Sequence, residues 1–186
     1  GETLDVRLAS TPLAEVTDEA ILSMLWQKTG SLYAYCGRAG AAIGLNTPDL
    51  EHPTVAALAD FAGACGVGFQ LQDDILGIVG DAQQLGKPVG SDIREGKRTL
   101  VITGALPNLS ANQRAELDAT LGNPAADDAA IARMTAMLRE AGGIQHAQTV
   151  ARRYVDDALQ HLEPLPETPQ KAHLRAWADY ILARDF

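Results

Sequence analysis

Apolar positions recur at helical intervals along nearly the whole chain, and no segment alternates apolar and polar residues as a half-buried strand would. Thr17 suits an N-cap, with Asp18 and Glu19 in the first turn behind it, and the helix it starts is predicted to run to about Ala42. Pro48 and Pro53 bracket a loop. A second long helix is predicted from about Thr54 to Val79, with Gly80 ending it. The Gly86–Gly90 loop then leads to a short helix near Thr99–Ala105, closed by Pro107. Ser110 and Gln113 stand at capping-box spacing ahead of the next helix. Three more are marked by Ile131, Met134 and Leu138, by Ile144, Ala147, Ala151, Ala158 and Leu162, and by Leu174, Trp177 and Ile181. No internal repeat interrupts this. Alanine-rich helices with small contact residues pack closely, so the pattern predicts an all-α bundle.

Composition narrows the class. At 186 residues, 46% of them hydrophobic, the chain can bury a sizeable core within one domain. No uninterrupted apolar run approaches the roughly 20 residues of a membrane span. A net charge of −9, without a dense basic cluster, speaks against nucleic acid as a partner. Cys36 and Cys65 lie in apolar helical contexts and are expected to be buried, reduced thiols of a cytoplasmic protein. No signal-peptide pattern is visible. The sequence opens on GETLDVRLAS, without an initiating Met and in the middle of a helical pattern, so residues 1–186 read as the C-terminal portion of something larger.

The residues from Phe69 to Leu100 change the picture most. Asp73 and Asp74 stand side by side inside an apolar run, and ionised side chains are rarely buried unless paired or bound to a metal. On a helix, Val67, Leu71, Ile75 and Ile78 form one apolar stripe, and Gln70, Asp73, Asp74 and Gly77 gather on the neighbouring face. Such a face suits magnesium, which takes few protein carboxylates, keeps several waters and binds phosphate oxygens. Lys28 falls on the stripe Ile21, Leu25, Lys28, Leu32, which should face the core, so its charge either snorkels to the edge or meets an anion in a cavity. Thr29 and Gly30 beside it weaken a helix interior. Lys87, Arg94, Lys97 and Arg98 place four cations in a short loop segment, out of 15 Lys and Arg in the chain. That density suits diphosphate, although Arg94 and Arg98 taken singly also fit a solvated loop. His52, His146, His161 and His173 show no metal-ligand spacing, and Asp156–Asp157 fits an exposed face behind Arg152 and Arg153.

Phe69-Gln70-x-x-Asp73-Asp74, Gly80-Asp81, Gly86-Lys87, Gly90-x-Asp92 and Glu95-Gly96-Lys97-x-Thr99-Leu100 closely resemble the second aspartate-rich region of trans-isoprenyl diphosphate synthases, the polyprenyl synthetase family. Gly1-x-x-Leu4-Asp5 and Lys28-Thr29-Gly30 are similar to two further motifs of that family, in the right order. The resemblance implies an isoprenoid-synthase-type helical bundle lacking its N-terminal helices. It also implies head-to-tail condensation of an allylic diphosphate with isopentenyl diphosphate in a homodimer without an integral membrane segment. Magnesium, or manganese in its place, would be held by Asp73 directly and by Asp74 through water. Lys28 and Lys97 would contact the allylic diphosphate, with Lys87 assisting. Phe69 would border the substrate, and Gln70 and Thr29 would line the cavity near the carbocation.

The chain departs from that pattern at named positions. The second motif is usually DDxxD, whereas Gly77 ends it here, and actinobacterial-looking members share this glycine. The loss leaves Asp73 with fewer partners, so weaker magnesium binding is expected on this side. Glu2 replaces a common glutamine, an exchange without a physical account. The first aspartate-rich motif, and the basic residues that bind isopentenyl diphosphate, would lie upstream of Gly1. Asp49 and Glu51, in a proline-bracketed loop, do not substitute for it. The chain alone is therefore expected to be inactive. A noncatalytic prenyltransferase-like subunit that binds an active partner is the alternative. A class I terpene cyclase shares the metal logic but fits the GKxxGxDxxEGK loop poorly.

Overall fold

The computed structural model describes residues 1–79 and 90–184, and among these there is no β-strand. In chain order the helices are α1 (Glu2–Ala9), α2 (Asp18–Leu25), α3 (Ser31–Leu45), α4 (Pro53–Val79), α5 (Ser91–Arg94), α6 (Leu100–Ala105), α7 (Ala111–Thr120), α8 (Asp128–Glu140), α9 (Gly143–Leu162) and α10 (Pro169–Ala183). The caps sit where side-chain chemistry put them. Ala20 N–H donates to the Thr17 hydroxyl at 3.2 Å, and Ser110 with Gln113 closes a reciprocal capping box at the start of α7. The expected end of α4 at Gly80, and the Gly86–Val89 part of the loop, lie outside the described residues.

One helix predicted as continuous is not regular. Between α2 and α3, residues Trp26–Gly30 form a π turn, in which Ser31 N–H reaches back to the Trp26 carbonyl. A π turn inserts an extra residue, and at about 100° per residue it rotates every later position out of phase. The expected stripe breaks there. Ile21 and Leu25 are buried, Lys28 is half-buried, and Leu32 is 61% exposed. Tyr33, one residue on, turns inward instead and stacks on Trp177 with ring centroids 6.0 Å apart.

The chain divides into two compact units. The first holds Gly1, Leu25–Gln70 and Val150–Arg184, and so contains α3, most of α4, the later part of α9 and all of α10. Its core is Phe61, Cys65, Val155, Ala158, Leu162, Ala178 and Ile181. The second holds Glu2–Met24 and Leu71–Thr149. Its core includes Leu71, Ile75, Ile78, Ile93, Leu100, Ile102, Leu117, Met134 and Leu138, all nearly inaccessible.

Helix α4 is long and apolar enough to cross a membrane by length and composition alone, but 61% of its most apolar window is buried inside the fold, as befits a core helix. One expectation needs correction. Cys36 is exposed, since α3 beyond the π turn presents that face outward. Cys65 is buried as expected, and burial pushes its thiol pKa up to about 12. A native-state thiol titration should therefore count one reactive cysteine per chain and reach two only in denaturant. Two fast-reacting thiols in the folded protein would contradict this packing.

Candidate functional site

In the first unit the π turn brings Thr29 and Gly30 to the side of α4, with Lys28 next to them in the turn. Gly1 lies against the backbone of Gln27 and Lys28, so close that any Cβ at position 1 would collide with the main chain there. The leading glycine of the GETLD segment and the lysine of the KTG segment are therefore neighbours. The Thr29 hydroxyl donates to Gln70 Oε1 at 2.9 Å, which sets the direction of the Gln70 amide dipole. These residues, 41 positions apart, were singled out separately in the sequence.

Phe69 has two ring partners. Its ring centroid is 6.0 Å from that of Tyr33, and the Arg184 guanidinium carbon lies over the ring, 3.8 Å from its centre. The same arginine donates to the Phe69 carbonyl at 2.8 Å. Arg184 is buried, and nothing in local sequence spacing pointed to it, because its partner is 115 residues away.

In the second unit α4 continues with the paired aspartates. Asp73 is half-buried and Asp74 buried, as the apolar flanks implied. Asp92, on α5, is a further buried carboxylate that the sequence reading placed in the loop but gave no role. Lys97 Nζ donates to Asp92 Oδ1 at 2.7 Å and stands 3.7 Å from Glu95 Oε2. Burial alone would depress the Lys97 pKa. Its bond to Asp92, with the charges of Asp92, Asp74 and Glu95, outweighs that and raises it. The pairing is thus fully present below the ordinary lysine value of 10.5 and fades only as pH climbs through the raised one. At neutral pH Lys97 is a fixed cation.

The other loop cations part company here. Arg94 donates to Asp128 at 2.7 Å and to the Ala126 carbonyl at 3.4 Å. Arg98 donates to the Gly96 carbonyl at 2.8 Å and to the Thr11 carbonyl at 3.3 Å. Both tie the loop to the protein. Lys87 lies outside the described residues. His146, without metal-ligand spacing, is nonetheless engaged: its Nε2 is 2.6 Å from Asp18 Oδ2, while the Thr103 hydroxyl donates to Asp18 Oδ1 at 2.6 Å. That network joins α2, α6 and α9. Asp156 and Asp157 are exposed on α9.

Among the described residues no three His, Cys, Asp or Glu side chains converge closely enough to enclose a metal ion by themselves. Magnesium bound with a phosphorylated ligand uses one or two carboxylates and takes its remaining oxygens from water and phosphate. A carboxylate pair with a permanently charged lysine nearby supplies that donor set, all oxygen for the cation and an ammonium for the anion.

The family model for polyprenyl synthetase matches residues 1–138. The chain is 36% identical over 185 residues to a short chain isoprenyl diphosphate synthase of Methanothermobacter thermautotrophicus, covering 100% of this chain and 54% of that protein. The geranylgeranyl pyrophosphate synthase of Corynebacterium glutamicum, complexed with isoprenyl diphosphate and magnesium, superposes with a TM-score of 0.87 at 30% identity, covering 98% of this chain and 51% of that one. The polyprenyl synthase of Caulobacter crescentus, complexed with calcium and isoprenyl diphosphate, gives 0.90 at 26% identity, covering 100% and 55%. The chain thus spans about half the length of the curated relatives it matches.

Proposed function

The chain belongs to the polyprenyl synthetase family, and on that footing we propose that it is the second-aspartate-motif part of a prenyl synthase domain. The parent protein, in this reading, is a cytoplasmic homodimer that joins an allylic diphosphate to isopentenyl diphosphate head to tail. The observation that carries the proposal is Lys97, held as a cation by buried Asp92 within the field of Asp74, on the helix-and-loop pair that also presents Asp73.

Asp73 is the direct ligand for magnesium in this reading, and Asp74 supports it through water. Magnesium, when bound, offsets the negative charge that grows on a departing diphosphate. Lys97 holds the anion at the same end, and the resemblance assigns Lys28 and Lys87 to the same ligand. The bond from Thr29 to Gln70 orients two polar groups whose lone pairs stabilise positive charge on the hydrocarbon. Phe69, packed against Tyr33 and under Arg184, gives the hydrocarbon an apolar wall that keeps water away. The relatives support the substrate class: one is named a short chain isoprenyl diphosphate synthase, and two of the solved structures hold isoprenyl diphosphate with a divalent cation.

The test is an assay with magnesium, an allylic diphosphate and labelled isopentenyl diphosphate, run on the intact synthase and on residues 1–186 alone. Product is expected from the former and none from the latter, which carries one of the two aspartate motifs that the resemblance implies. Turnover by the 186-residue chain would contradict the division of labour, and an inactive intact protein would contradict the reaction.

A further inference from the structure

We propose that Asp92 is a positioning residue that completes the aspartate motif from outside it: its carboxylate lodges in the space that Gly77 leaves open and there fixes the Lys97 ammonium beside Asp74. The inference rests on the reading of Asp73 and Asp74 as the cation-binding pair.

Position 77 follows Asp73 by four residues, so on α4 the two share a face one turn apart. A side chain there would enter space already taken. A Cβ at position 77 would come 2.5 Å from Asp92 Oδ2 and 3.0 Å from its Cγ. Asp92 cannot easily withdraw, because it is 6% exposed and its other oxygen accepts from Lys97 at 2.7 Å. The backbone closes the same turn, Lys97 N–H donating to the Asp92 carbonyl at 3.0 Å.

Two motifs that read as separate in the sequence are thus one assembly. The glycine that ends the aspartate run is the socket for the aspartate of the GxDxxEGK loop. A carboxylate that a DDxxD helix would project from its third position arrives here from α5, and it brings a lysine with it. Lys97 is consequently held before any anion arrives, so fewer of its rotamers remain to be lost on binding.

Titration calorimetry of the intact synthase with methylene bisphosphonate in magnesium tests this. Asp92→Asn keeps the shape but removes the charge, and Lys97→Met removes the ammonium. Each is expected to weaken binding about tenfold, with the double variant no weaker than Lys97→Met alone, since Asp92 acts through that ammonium. Additive losses, or wild-type affinity in Asp92→Asn, would overturn the proposal. Gly77→Ala should lower the thermal midpoint, opposite to the usual effect of alanine for glycine within a helix. An unchanged or raised midpoint would show that there is no socket. Asp73→Ala separates the two levels: if it too binds like wild type, the cation reading has failed, and if it alone loses affinity, only the role of Asp92 has.

Discussion

Replacing Asp73 by alanine in the intact synthase is expected to cut kcat/KM by roughly 10²–10³-fold, the scale for losing one preorganised stabiliser of developing charge. Asp157→Ala should leave the rate within a factor of about two, as surface changes away from a site usually do. Both residues belong to adjacent aspartate pairs on long helices. What distinguishes them is surroundings: Asp73 is half-buried beside buried Asp74 on a core helix, whereas Asp156 and Asp157 are exposed. A carboxylate in water contributes little to binding a cation that water itself solvates well. A partly buried one, fixed on a core helix, competes with less water for the cation, so its removal costs more. Similar rates for the two variants would show that burial does not mark the metal side.

Lys97→Ala should raise the KM for the allylic diphosphate by roughly 10-fold or more, in keeping with the loss of one charge-assisted contact, and Arg98→Ala by much less. The two cations are neighbours in sequence, and their hydrogen bonds separate them. Arg98 spends its donors on the carbonyls of Gly96 and Thr11, so its loss loosens a loop. Lys97 bonds a buried carboxylate and lies in the field of Asp74. Because its pKa is raised, the effect should be flat across neutral pH and vanish only in strong alkali. An Arg98 variant with the larger KM change would reverse the assignment.

Helix identity and most boundaries were legible because they depend on local signals. Thr17 and Ser110 carry their caps within one turn of themselves, and the apolar spacing of α8 to α10 needs no distant partner. The π turn at Trp26–Gly30 was not legible as such. Thr29 and Gly30 signalled a weak helix interior, but the phase slip that exposes Leu32 and Cys36 is a property of backbone hydrogen bonds. The site was legible where residue types are unusual for their setting. Asp73 and Asp74 in an apolar run, and Lys28 on an apolar stripe, drew notice for that reason. Asp92 and Arg184 escaped because each acts outside its own helix, Asp92 into the space that Gly77 leaves on α4 and Arg184 onto the ring of Phe69, 115 residues away. A missing carboxylate at position 77 with a spare one in the following loop was the available signal for Asp92.

The central claim is that Asp73 grips a divalent cation while Lys97 grips the diphosphate bound to it. A crystal of the intact synthase soaked with manganese and a bisphosphonate, measured at the manganese absorption edge, tests it directly. An anomalous peak within coordination distance of the Asp73 carboxylate, with Lys97 Nζ on a phosphonate oxygen, is the expected result. An ordered bisphosphonate elsewhere, with Asp73 turned to solvent and no peak beside it, would contradict the account.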